Sequence, residues 1–88
     1  MARGKISAAV GNARSAYALE LARGRSYIGS TLTPATRSNA ITEVFAEFVE
    51  LYGDRELALF QKLLAEDLQR QGQPDASLAV LEFKLRIR

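Results

Sequence analysis

The chain has 88 residues, 48% of them apolar and 25% charged, with no histidine, no cysteine and a formal net charge of +2. That composition is typical of one folded domain spanning residues 1–88 and argues against a disordered chain. It excludes disulfides, thiolate nucleophiles, histidine general bases and the usual transition-metal ligands, and it fits a reducing, cytoplasmic compartment. No run of about 18 apolar residues could span a membrane, and no apolar stretch follows the basic start as in a signal peptide.

The charge is unevenly placed. Residues 1–42 carry six bases and one acid, residues 43–77 eight acids and three bases, and residues 78–88 three bases and one acid. Basic ends around an acidic middle suit head-to-tail self-contact, or a polyanion held at the basic parts.

In chain order, residues 1–5 form a short basic lead with Arg3 and Lys5. Over 7–23, Ala9, Val10, Ala13, Tyr17 and Leu21 follow helical spacing, and Gly24 is expected to end that helix. Residues 25–32 then contain Tyr27, Ile28, Thr31 and Leu32, residue types that favour an extended backbone, so a short strand is expected there. Gly24 and Gly29 lie five apart as in a phosphate-binding loop. Ser30 stands where its lysine would be and no apolar strand precedes it, which excludes nucleotide hydrolysis by that device.

Thr33 and Pro34 read as the N-cap and first residue of a helix over 34–52. Its start, with Arg37, Ser38 and Asn39 in the first turns, could accept a phosphate oxygen. Ile41, Val44, Phe45, Phe48 and Tyr52 mark its apolar face, while Glu43, Glu47, Glu50 and Asp54 form an acidic stripe opposite. Gly53 breaks the chain, Asp54 could cap the next helix over 55–71, and Gly72 with Pro74 stops it. Leu57, Phe60, Leu64 and Leu68 face one way in that helix. Leu59 and Leu63 face another, which predicts a surface shared with a second copy unless the N-terminal segment covers it.

Over 78–88, Leu81, Phe83, Leu85 and Ile87 alternate with Glu82, Lys84, Arg86 and Arg88, the pattern of an amphipathic strand. Its partner would be the 25–32 segment, residues 5–10 or a second subunit. The expected fold is therefore α+β and mostly helical, with three helices and one C-terminal strand.

Catalysis is not expected. The three lysines have no local serine partner, and Glu43, Glu47 and Glu50 lie on an open stripe rather than in a cleft. No cofactor or metal is implied. The first functional reading is a non-enzymatic regulator binding DNA or RNA as a homodimer, with Arg3, Lys5, Arg25, Arg37, Lys84, Arg86 and Arg88 contacting phosphates. Its subunit contact would use Leu59, Leu63, Phe83, Leu85 and Ile87. The alternatives are a protein-binding adaptor or inhibitor that uses the acidic stripe and an exposed Leu59/Leu63 patch, the stripe imitating nucleic-acid phosphates as small phage inhibitors do, and a structural assembly subunit.

Overall fold

The computed structural model describes residues 13–84, and these are almost wholly helical, with no strand among them. Residues 13–16 form a helical turn that leads through Tyr17 into α1 (Ala18–Gly29). Then come α2 (Pro34–Tyr52), a 3-10 turn (Asp54–Glu56), α3 (Leu57–Arg70) and α4 (Pro74–Glu82).

The α+β expectation is thus corrected in two places. Residues 25–29 belong to α1, not to a strand, and Gly24 lies inside the helix rather than ending it. Tyr27 and Ile28 have little intrinsic helix preference. However, Ala13, Tyr17, Leu21, Gly24 and Ile28 are buried at steps of four, four, three and four, so tertiary packing overrides that preference. The peptide hydrogen bonds Tyr17 N to Ala13 O (2.9 Å) and Leu21 N to Tyr17 O (2.8 Å) carry the helix across Tyr17.

The second correction is the strand over 78–88. Residues 78–82 complete α4; its apolar positions Ala76, Ala79, Val80 and Phe83 recur at helical steps and meet the core. The expected residues 85–88 lie outside the described region. Two polar side chains lock α4 onto α3. Buried Ser77 donates its hydroxyl to Ala65 O (2.7 Å), and Gln61 Nε2 donates to Val80 O (2.6 Å) and Phe83 O (2.9 Å), satisfying carbonyls at the end of α4. A strand would have needed a partner for every backbone group; the helix needs one glutamine.

The remaining boundaries follow local chemistry. Thr33 and Thr36 form a reciprocal cap, Thr36 N donating to Thr33 Oγ1 (3.1 Å) and Thr33 N to Thr36 Oγ1 (3.2 Å), with Pro34 as the first helical residue. Asp54 does not cap α3: it opens the 3-10 turn, and neither that turn nor α3 has a side-chain cap. At the end of α3, Gln73 N bonds Leu68 O and Gly72 N bonds Gln69 O, both at 3.0 Å, while Gly72 takes φ +78°. This pair of bonds is a Schellman stop, whose left-handed residue is glycine for want of a Cβ clash. It turns the chain directly into α4.

An aromatic stack fills the centre. Phe48 of α2 lies on Phe60 of α3 at 4.1 Å, and Tyr52 stacks on Phe48 at 4.8 Å. Tyr17 meets Phe48 edge-on at 4.9 Å, and Phe83 meets Phe45 edge-on at 5.3 Å. Each such pair contributes about 0.5–1.5 kcal/mol beyond its burial. Leu63, expected on an outer patch, is buried at 3% exposure, whereas Leu59 is 37% exposed, so the two do not form a continuous apolar surface. Phe83, expected at a subunit contact, is half-buried against the chain's own core.

Gly24 sets how closely α1 approaches α3. A Cβ built there would lie 3.0 and 3.1 Å from the two methyls of Leu64, itself fully buried. At Gly29 the nearest neighbour is instead the mobile end of the Gln73 side chain. Gly24→Leu should therefore lower stability by about 2 kcal/mol or more through overpacking, while Gly29→Ala should raise it by about 0.5–1 kcal/mol through helix propensity. Urea unfolding midpoints of the two variants check this contrast.

Candidate functional site: an acidic groove between α1 and α2

Helices α1 and α2 run antiparallel, and three side-chain contacts fix their register. The Tyr52 hydroxyl lies 3.1 Å from both Ala16 O and Glu20 Oε1, sharing its proton between them. One turn further along, Arg23 forms an ion pair with Glu47. At the far end the Tyr27 hydroxyl donates to Glu43 Oε2 at 3.1 Å. Residue numbers rise on one helix as they fall on the other.

Between the helices an open groove of ≈ 810 Å³ is lined by Glu20, Arg23 and Tyr27 of α1 and by Glu43, Glu47 and Glu50 of α2, among others. Four carboxylates thus share the groove with one guanidinium. The expected stripe supplies one wall, but Asp54 lies beyond α2 in the 3-10 turn and does not line the groove. Of the other wall, Glu20 and Arg23 fall within the helix expected over 7–23 but were given no role, and Tyr27 was missed because that helix was expected to stop at Gly24. Once the helix runs through Gly24, the steps of three and four from Glu20 to Arg23 to Tyr27 place these residues on one side. Leu19 precedes Glu20 and Leu51 follows Glu50; by the register both lie at the same end of the helix pair, 65% and 57% exposed.

The electrostatics of the groove show in its titrating groups. The Tyr27 phenol is raised above its ordinary 10.0 by its hydrogen bond to Glu43 and by that residue's negative charge. Desolvation, then the hydrogen bond and charge of Glu20, raise Tyr52 in the same direction. Arg23 is also raised, first by its hydrogen bond to Glu47 and then by that carboxylate's charge. In each case a groove carboxylate contributes, as the main cause at Tyr27 and Arg23 and behind desolvation at Tyr52.

The expected basic contact residues are not gathered on one surface. Arg3, Lys5, Arg86 and Arg88, and the apolar Leu85 and Ile87, lie outside the described residues. Arg25 is held at 3.1 Å by Asp67 of α3 and borders a polar cleft with Ser26, Gln71 and Gln73. Arg37 borders a different cleft with Glu82 and Phe83, and Lys84 is exposed just past α4. Among the described residues no three metal-ligating side chains converge, and no helix is long and apolar enough to cross a membrane.

Below pH about 10 both phenols are neutral in the folded and the unfolded chain. As pH rises the unfolded chain ionises first, so the stability tied to Tyr27 and Tyr52 is complete below their ordinary value and is lost as pH climbs through the raised one. Glu43→Gln should bring the Tyr27 titration down towards 10, and Glu20→Gln should lower that of Tyr52 only in part, since desolvation, its largest cause, remains; ultraviolet difference titration of each variant checks both shifts. No family model, curated protein or solved structure matches the chain, so its function has to be argued from the chemistry of this groove.

Proposed function

We propose that this chain is a small non-enzymatic binding protein that captures a basic segment of a protein partner in the α1–α2 groove. The observation that carries this reading is the lining itself: Glu20, Glu43, Glu47 and Glu50 against the single base Arg23. Glu43, Glu47 and Glu50 are spaced by four and three along one helix, so arginines or lysines at matching steps on a partner helix would meet them in turn. The exposed Tyr27, which also lines the groove, offers aromatic contact beside the charges, a combination that anchors protein interfaces.

The other reading is a nucleic-acid contact through basic residues. It draws less support because residues 78–82 are helical rather than a strand and Arg25 is engaged by Asp67, while Arg86 and Arg88 lie outside the described residues.

The test is titration of a fluorescent arginine-rich helical peptide at low and moderate salt. Binding should be saturable and should weaken as salt rises. Glu43→Gln combined with Glu47→Gln should weaken it about fivefold to thirtyfold, at roughly 0.5–1 kcal/mol per exposed contact, with little change in melting temperature. Saturable binding of a DNA or RNA oligomer with no binding of the peptide would overturn the proposal.

A further inference from the structure

A second surface lies on the outer side of α4. Buried Ala76, Ser77 and Val80 turn one side of this helix to the core, so Leu78 and Leu81 project from the other, 54% and 53% exposed. Pro74, Leu78 and Leu81 follow one another at steps of four and three, the spacing of a seam that packs on another helix.

The charges beside this seam say what fits on it. On one side the seam borders α3 across an open cleft of ≈ 480 Å³, whose lining includes Leu81, Lys62 and Arg70. On the other side lie the exposed Asp75 and Glu82, seven residues apart and so one above the other on the helix; Glu82 lines the cleft shared with α2. Heights correspond as well. α3 and α4 run antiparallel, with Ser77 bonded to Ala65 O and Gln61 to Val80 O. Lys62 is therefore level with the end of α4, where Glu82 sits, and Arg70 with its start, where Asp75 sits. Bases flank the seam on one side and acids on the other, at the same two heights. Among the described residues Lys62, Asp75 and Glu82 make no ion pair, and Arg70, 66% exposed, reaches Asp67 at 3.4 Å.

We propose that the α4 seam packs on the same seam of a second copy of this chain, the two α4 helices lying parallel about a two-fold axis. Rotation about an axis along the helices keeps heights and exchanges sides. Lys62 of each copy then meets Glu82 of the other, and Arg70 meets Asp75, around a centre made by Leu78 and Leu81. The antiparallel alternative keeps the sides and sets Asp75 of one copy against Glu82 of the other, like charge against like. No residue lines both this cleft and the acidic groove, so the dimer leaves the groove open and stands whatever the groove binds.

Sedimentation equilibrium of the full chain tests the pairing. Its mass should rise from 9.7 kDa towards twice that value between about 10 µM and about 1 mM, the range of a small contact. Lys62→Glu and Glu82→Lys should each weaken self-association at least about tenfold, because each sets like charges together twice across the axis. Mixed in equal amounts, the two variants should associate to within about threefold of the parent, since opposite charges then meet at both contacts. Leu78→Gln combined with Leu81→Gln should weaken association at least about tenfold, by removing the apolar centre. All four side chains are exposed, so melting temperatures should stay within a few degrees of the parent's and confirm that the variants fold. A parent mass of 9.7 kDa at about 1 mM, parent-like association of either charge variant or of the leucine variant, or a mixture no stronger than its components would each overturn the assignment.

Discussion

The arrangement depends on a buried carboxylate. Asp67 of α3 is 6% exposed, and three arginines from separate parts of the chain reach it: Arg14 at 2.8 Å, Arg25 at 3.1 Å and Arg70 at 3.4 Å. Arg14 also bonds Glu66 at 3.0 Å. A buried aspartate without partners would be expelled or neutralised; with three guanidiniums it becomes a fixed point to which the N-terminal turn, α1 and α3 are tied. The contact with Arg25 holds α1 in place beyond Gly24, and that extension completes the second wall of the acidic groove with Tyr27.

Charge is accordingly sorted by burial and by helix pair. Arg14 and Arg25 are drawn inward towards Asp67, while Arg23 and the glutamates of α2 face the groove. The pattern of basic ends and an acidic middle, visible in the sequence, is resolved partly within the chain itself. What remains unbalanced is local: negative in the groove between α1 and α2, positive at Arg37 near the start of α2.

Much of this was legible where a boundary has its own chemistry. Thr33-Pro34 and Gly53 bracket α2 as expected, and Gly72 stops α3 through a Schellman turn. The apolar face from Ile41 to Tyr52 and the stripe of Glu43, Glu47 and Glu50 were also readable, since both follow from spacing alone. The failures share a cause: local preference was outweighed by packing. Gly24 reads as a stop, but a glycine is also the one residue that lets α1 lie against Leu64. Leu81 to Arg88 alternates as a strand does, yet Ala76, Val80 and Phe83 had already placed a helical face on the core. Asp67 had a signal that was not used, a lone acid flanked by Leu63, Leu64 and Leu68 on a buried face, a position that calls for a basic partner from elsewhere in the chain.

Whether Asp67 fastens α1 to α3 is read by a double-mutant cycle of Arg25→Gln and Asp67→Asn measured by urea unfolding. Each single change should lower stability by about 1–3 kcal/mol, less than for a fully buried pair because Arg25 is one-third exposed. The coupling energy between them should be about 1 kcal/mol or more. Strictly additive effects, or an Asp67→Asn variant as stable as the parent, would contradict it.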